Sequence, residues 1–322
     1  MLIGQDDALG AFDAALGAER MHHGWLLCGP RGIGKARFAR MASHALLTGR
    51  DRIDTDASDA VARRIDEGNE PRLTVIARRI NEKTGKLRTQ IDVEQIRDLR
   101  HALTLSAGAG EWRCVIVDPA EEMNPSTANA LLKLLEEPPG RVVFFLVSHA
   151  PGRLLPTIRS RCRVLDFRPL DDEAMDRAMA GAGVDLPPAL LAVARGSPGE
   201  AMRLASEDGA AIMEGIDAIL APLPRNIDRA ALHRLGDAVA PAGNDEGFAI
   251  AIRILSDIAA RNACDTGEGY SSTARANGAR WAETAMAIQS DAERTRALNL
   301  DRRQALLDTC ARIEEAAKRA AS

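Results

Sequence analysis

Apolar and polar positions change period along the chain, and the changes mark its elements. In residues 5–20, Ala8, Leu9, Phe12 and Leu16 fall on one stripe, the 3.6-residue period of an amphipathic helix. Trp25-Leu26-Leu27-Cys28 is an apolar run and predicts a buried strand. A helix is predicted over 36–47, ending near Thr48-Gly49. Residues 50–70 are rich in Asp and Arg, carry little apolar pattern and read as an exposed helix or loop. Leu73–Ile76 predicts a second strand, residues 91–99 the opening of another amphipathic helix, and Cys114–Asp118 a third strand. Asn124-Pro125-Ser126 is a helix start with Pro in the first turn. That helix continues from Thr127 to Glu137 and is stopped by Pro138-Pro139-Gly140. Val142–Val147 is again continuously apolar, and Val164–Phe167 is the last strand signal. Strands alternating with helices predict a parallel, three-layer α/β domain ending near Arg168.

After Pro169-Leu170 the strand signal disappears. Short helices are expected near 171–181, 187–195 and 198–207, as in a small lid. From about 210 the pattern is helical, with breaks at 222–224, 241–243 and 264–272, and the last helix runs from Asp301 to about Ala320. The expected organisation is an α/β domain over 1–168, a small helical domain over 169–208 and an all-α domain over 209–322. Composition agrees with this: aromatic residues are 3%, while the helix formers Ala, Leu and Arg abound.

Charge and cysteines narrow the class. A net charge of −4 excludes a basic nucleic-acid binder as a whole but leaves room for a local basic patch. The five cysteines are scattered, which suggests neither a zinc pair nor a disulfide framework and fits a reducing cytoplasm. Met1-Leu2-Ile3-Gly4-Gln5-Asp6-Asp7 has no basic or apolar leader region, so no signal peptide is expected. No apolar run approaches the roughly 20 residues that span a bilayer.

The candidate chemistry begins at Gly29-Pro30-Arg31-Gly32-Ile33-Gly34-Lys35-Ala36, between a predicted strand and a helix. That context suits a phosphate loop: Gly29, Gly32 and Gly34 let backbone N–H groups converge, and Lys35 would reach the outer phosphates of a nucleotide. The full pattern ends in Ser or Thr, whose hydroxyl holds Mg²⁺; here the position is Ala36. Val115-Ile116-Val117-Asp118 matches a strand whose final Asp supports Mg²⁺. Plain alternatives are a glycine turn kept for packing and a cap or ion pair at Asp118. His22-His23 has no matching His/Cys pair at useful spacing, so no metal site is expected. Ser160 and Cys162 lack an oriented base and read as packing residues.

Several stretches together carry a resemblance. Ala130-Leu131-Leu132-Lys133-Leu134-Leu135-Glu136-Glu137-Pro138-Pro139 and Ser160-Arg161-Cys162, with residues 117–124 and 146–151, resemble the clamp-loader branch of the AAA+ family. The resemblance is strong to about residue 200 and weaker onward to Asn299–Leu307. It implies a RecA-like AAA+ domain, a helical lid and a helical collar. It also implies a place in the hetero-pentameric clamp loader of bacterial DNA polymerase III, whose tau/gamma subunits hydrolyse ATP beside a delta subunit. That complex loads a sliding clamp on primer-template DNA.

Within this family the motif makes Arg161, next to Ser160, an arginine finger acting in trans on a neighbour's ATP. Arg153, Arg159, Arg163 and Arg168 lie close by, and only the family motif selects Arg161. Ser148 takes the sensor-1 position. In active members a Glu follows the strand-end Asp; here it is Pro119. The sensor-2 stretch reads Gly196-Ser197-Pro198-Gly199-Glu200-Ala201, with Gly199 where an Arg would stand. Three losses, at Ala36, Pro119 and Gly199, imply a non-hydrolysing accessory subunit with no intrinsic ATPase. Lys35 and the glycines leave ATP or ADP binding without turnover open, and no cofactor is required. Many relatives carry four zinc-binding cysteines where residues 43–72 have none, so zinc is not expected. The alternatives are an active ATPase of tau/gamma type and a direct DNA-binding module using Arg153–Arg168.

Overall fold

The computed structural model describes residues 2–18, 21–81, 85, 87–105, 110–206, 208–241, 244–267 and 272–321. The chain divides into two compact units: Met1–Ala178 with Gly196–Gly199, and Met179–Arg195 with Glu200–Ser322. The stretch 169–208 is shared between them.

The first unit runs α1 (Asp6–Leu16), β1 (Gly24–Cys28), α2 (Lys35–Thr48), α3 (Ala60–Asp66), β2 (Leu73–Ile76), α4 (Val93–Leu105), β3 (Arg113–Val117), α5 (Pro125–Glu136), β4 (Val142–Ser148), α6 (Pro156–Arg159) and β5 (Arg163–Asp166). Every strand pair is parallel, in the order β2-β3-β4-β1-β5. This is the parallel α/β sheet that the resemblance to a RecA-like domain implies.

Alternation along β1 assigns its side chains to two cores. Trp25 and Leu27 face α1 and α2, in a cluster with Phe12, Phe38 and Phe145. Leu26 and Cys28 face α4 and α5, with Ile96, Leu131 and Leu135. A strand buried on both faces needs no polar alternation, which is why β1 and β4 read as unbroken apolar runs. The few aromatics are concentrated here: Phe12 lies 4.9 Å from Trp25 and 5.7 Å from Phe38, ring centre to ring centre.

The Asn124 side chain caps α5 by accepting the Thr127 N–H at 2.8 Å, the role its place before Pro125 predicts. The 50–70 stretch is less exposed than its composition suggests. Asp59 caps α3, Ile53 and Ile65 are buried, and Glu70 is buried between two arginines.

The second unit is helical: α8 (Pro188–Ala194), α10 (Gly209–Leu220), α11 (Arg229–Val239), α12 (Asp245–Gly267), α13 (Ser272–Leu298) and α14 (Arg302–Ala320); α7 (Asp172–Ala182) and α9 (Pro198–Ser206) run across the division between the units. α12 packs along α13, and α14 against both. Their core includes Phe248, Ile254, Leu255, Ile288, Leu306 and Ile313. Asp257, buried on α12, is paired with Arg195 at 2.7 Å and Arg261 at 2.9 Å. Asp228 and Asp301 cap α11 and α14. Among the described residues, no helix is long and apolar enough to cross a membrane.

Candidate functional site

The turn from Cys28 to Lys35 is built on glycine. Gly29 (φ 145°) and Gly34 (φ 105°) lie in the left-handed region, as does Gly32 (φ 75°). A Cβ on Gly29 would stand 2.3 Å from the Phe167 carbonyl oxygen, and one on Gly34 would stand 2.5 Å from Leu2 Cδ1. The loop is therefore held between β5's end and the N-terminal segment.

Lys35 begins α2 and is buried, with 3% of its surface exposed. Its ammonium does not extend outward as the motif predicts. It folds back and donates to the carbonyls of Gly29 (2.6 Å) and Pro30 (2.5 Å). Burial lowers its pKa to about 8 against the opposing pull of Asp118 and Glu121. Asp118 follows β3. Burial raises its pKa, and Lys35, Arg31 and Arg40 oppose the rise. Ser148, the last residue of β4, pairs in register with Cys28; its buried Oγ has no partner among the described residues.

Gly29, Gly32, Gly34, Lys35, Asp118 and Ser148 thus gather at the carboxyl ends of β1, β3 and β4, where parallel sheets hold ligands. A cavity of about 460 Å³ opens there, lined by Arg31, Lys35, Asp118, Pro119 and His149 among others. Arg31 and Lys35 are the cations on its wall nearest the glycine turn, and Lys35 already spends two donors on the Gly29 and Pro30 carbonyls. Ala36 offers no oxygen to a metal.

Three contacts around this cavity join residues far apart in the sequence. Glu121, on the 3₁₀ turn Ala120–Glu122, accepts the backbone N–H of His149 at 2.8 Å. The adjoining imidazole is pushed down to a pKa of about 4, first by burial and then by Lys35, and so is neutral at pH 7. Ser197 Oγ donates to the Arg31 carbonyl at 2.8 Å. The Gly199 N–H donates to the Gly32 carbonyl at 2.9 Å. A signal existed only for the last two, in the motif position of Gly196–Gly199.

Arg161 lies at the opposite, amino-terminal end of the strands. A Cβ on Gly24, the first residue of β1, would stand 3.0 Å from the Arg161 carbonyl oxygen. The glycine turn 29–34 leaves from the opposite end of that strand. Four steps of about 3.3 Å, roughly 13 Å, separate the two ends. The Arg161 guanidinium donates to the Thr157 carbonyl at 3.0 Å and pairs with Glu136 at 2.7 Å. Ser160 is exposed, and its Oγ donates to the same Thr157 carbonyl at 3.1 Å. Arg163 lies over the Trp25 ring at 5.3 Å. Arg161 and Ser160 are therefore not joined to the six residues gathered at the carboxyl ends of the strands.

His22 and His23 stack at 4.8 Å, and His22 Nδ1 lies 2.8 Å from the Gly24 carbonyl oxygen. Among the described residues no His, Cys, Asp and Glu group could hold a metal ion.

Known proteins resemble this chain in sequence. A family model described as DNA polymerase III, delta subunit, matches residues 4–171. The delta-prime subunit of DNA polymerase III from Pseudomonas aeruginosa is 38% identical over 216 residues, 64% of this chain and 64% of that protein. The chain thus aligns with just under two thirds of that relative's length. The tau subunit from Escherichia coli is 33% identical over 174 residues, 53% of this chain and 26% of that protein. A solved gamma subunit-related protein from Thermotoga maritima covers 96% of this chain and 99% of its own at 20% identity, with a TM-score of 0.49. The match to the delta-subunit model takes in more than half of the residues, and the chain belongs to the DNA polymerase III delta-subunit family.

Proposed function

We propose that this chain is a delta-prime-type subunit that hydrolyses no ATP and supplies Arg161 in trans to a neighbouring ATPase subunit during clamp loading. One observation carries the reading: Arg161 and the chain's own phosphate loop stand at opposite ends of β1. An arginine so placed is out of reach of a nucleotide in its own loop and free to meet another subunit's. A guanidinium there would bridge phosphate oxygens as charge shifts in the transition state.

The non-hydrolysing half of the proposal is supported by chemistry. Ala36 has no hydroxyl for Mg²⁺, Pro119 cannot act as a base, and the nearby Glu121 is engaged by the His149 N–H. The backbone of Gly199 sits on Gly32, so no cation reaches the loop from that position. The remaining donors suit a phosphate, and ATP or ADP held without turnover belongs to the proposal. Residues 169–208 would act as lid and 209–322 as collar. The partners would be tau/gamma and delta subunits in a hetero-pentamer, with the sliding clamp and primer-template DNA met through that complex.

The test is ATP turnover by the purified chain. No turnover above background, and none lost in Lys35→Ala, is expected. Turnover abolished by Lys35→Ala would overturn the reading in favour of an active ATPase.

A further inference from the structure

We infer that Glu136 is a positioning residue for Arg161, an inference that rests on the trans-finger reading above. Glu136 closes α5, and Arg161 follows α6; the two helices are brought together only by the fold. The carboxylate takes the guanidinium at 2.7 Å, while the Thr157 carbonyl takes a second N–H at 3.0 Å. Two anchors on different elements fix both the position and the plane of the group.

Three features mark this pair as more than a chance surface contact. Lys133 stands one turn back on α5, yet the ion pair of Glu136 runs across to Arg161. A carboxylate at a helix C-terminus opposes the helix dipole, and it is tolerated best where a cation answers it. The carboxylate is also carried on a rigid base: Leu131, Leu134 and Leu135 are buried, and the far end of α5 is fixed by the Asn124 cap and by Thr127 Oγ donating to the Ile91 carbonyl at 2.9 Å.

The pair orients Arg161 without sequestering it. A guanidinium has five N–H groups, and the two anchors use two. Both side chains keep about two fifths of their surface in water, 36% for Arg161 and 42% for Glu136. An ion pair this exposed is weak, so a neighbour's phosphate competes with it easily. What Glu136 supplies is a guanidinium already near its working geometry, with less side-chain freedom to lose on engagement.

The experiment is a double-mutant cycle in the reconstituted complex, reading kcat and KM for DNA-stimulated ATP turnover. Glu136→Ala is expected to lower kcat roughly three- to fivefold, the scale of an exposed pair. Glu136→Gln, which keeps an oxygen acceptor, is expected to lose less. On an Arg161→Ala background, Glu136→Ala is expected to add nothing, because its effect passes through the arginine. A full Glu136→Ala loss on that background would assign Glu136 a merely structural role and overturn the inference. So would wild-type kcat in Glu136→Ala where Arg161→Ala is impaired. An Arg161→Ala complex with wild-type turnover would instead overturn the finger reading itself, and this inference with it. Unchanged melting temperatures and subunit stoichiometry establish that each variant is folded and assembled.

Discussion

The N–H of Gly199 donates to the carbonyl of Gly32 at 2.9 Å, and a Cβ on Gly199 would stand 2.8 Å from that same oxygen. The contact explains why this position is a glycine. Backbone lies against backbone, and a side chain has no room.

Gly199→Ala is therefore expected to destabilise the chain by about 1–3 kcal/mol, the usual cost of overpacking. Urea unfolding measures it. Gly199→Arg is expected to be destabilised as well and to gain no ATP turnover. A Gly199→Ala protein as stable as the parent would contradict the contact.

Lys35 gives a pH signature. Its pKa of about 8 lies below the ordinary 10.5. Between these values the unfolded chain holds a proton at this site that the folded chain has released, so this residue's contribution to stability rises with pH. Comparing Lys35→Met with the parent by denaturant unfolding at pH 7.5 and pH 10, the difference is expected to move in the parent's favour at the higher pH. A difference independent of pH would mean that the ammonium is not buried.

Glu70 anchors the segment between α3 and β2. Its side chain, 1% exposed, pairs with Arg64 Nε and Arg72 Nε at 2.9 Å each. Burial alone would raise its pKa; Arg72 and Arg64 overcome that and hold it below the usual carboxylate range. The stability it contributes is present above the unfolded pKa and is lost as pH falls through the folded one. Glu70→Ala is expected to cost about 2–3 kcal/mol, less than a fully buried pair because both arginines keep contact with water. A loss under 0.5 kcal/mol in thermal or chemical unfolding would contradict this.

These contacts also show where the sequence was legible. β1 and β4 could be read because strands covered on both faces are unbroken apolar runs, and α5 because Asn124 and Pro125 announce its start. The turn at Gly29–Gly34 could be read because its geometry demands glycine at fixed spacing. The Asp/Arg-rich composition of 50–70 concealed a buried Glu70, since a carboxylate answered by two arginines has the same composition as an exposed one. Leu2 over Gly34, Glu121 beneath His149 and Glu136 beside Arg161 join single residues across the fold. Such contacts leave no period in the chain. The motif singled out Arg161, but only the parallel register placed it at the opposite end of β1 from the phosphate loop.

The most direct test of the central proposal is Arg161→Ala in a reconstituted clamp loader where only the ATPase subunit facing this chain keeps a working phosphate loop. Single-turnover hydrolysis at that one site is the measurement. The expected result is intact assembly with hydrolysis slowed on the order of 10³-fold, the scale of arginine fingers in other phosphoryl-transfer systems. Hydrolysis at the parental rate in the assembled complex would contradict the account.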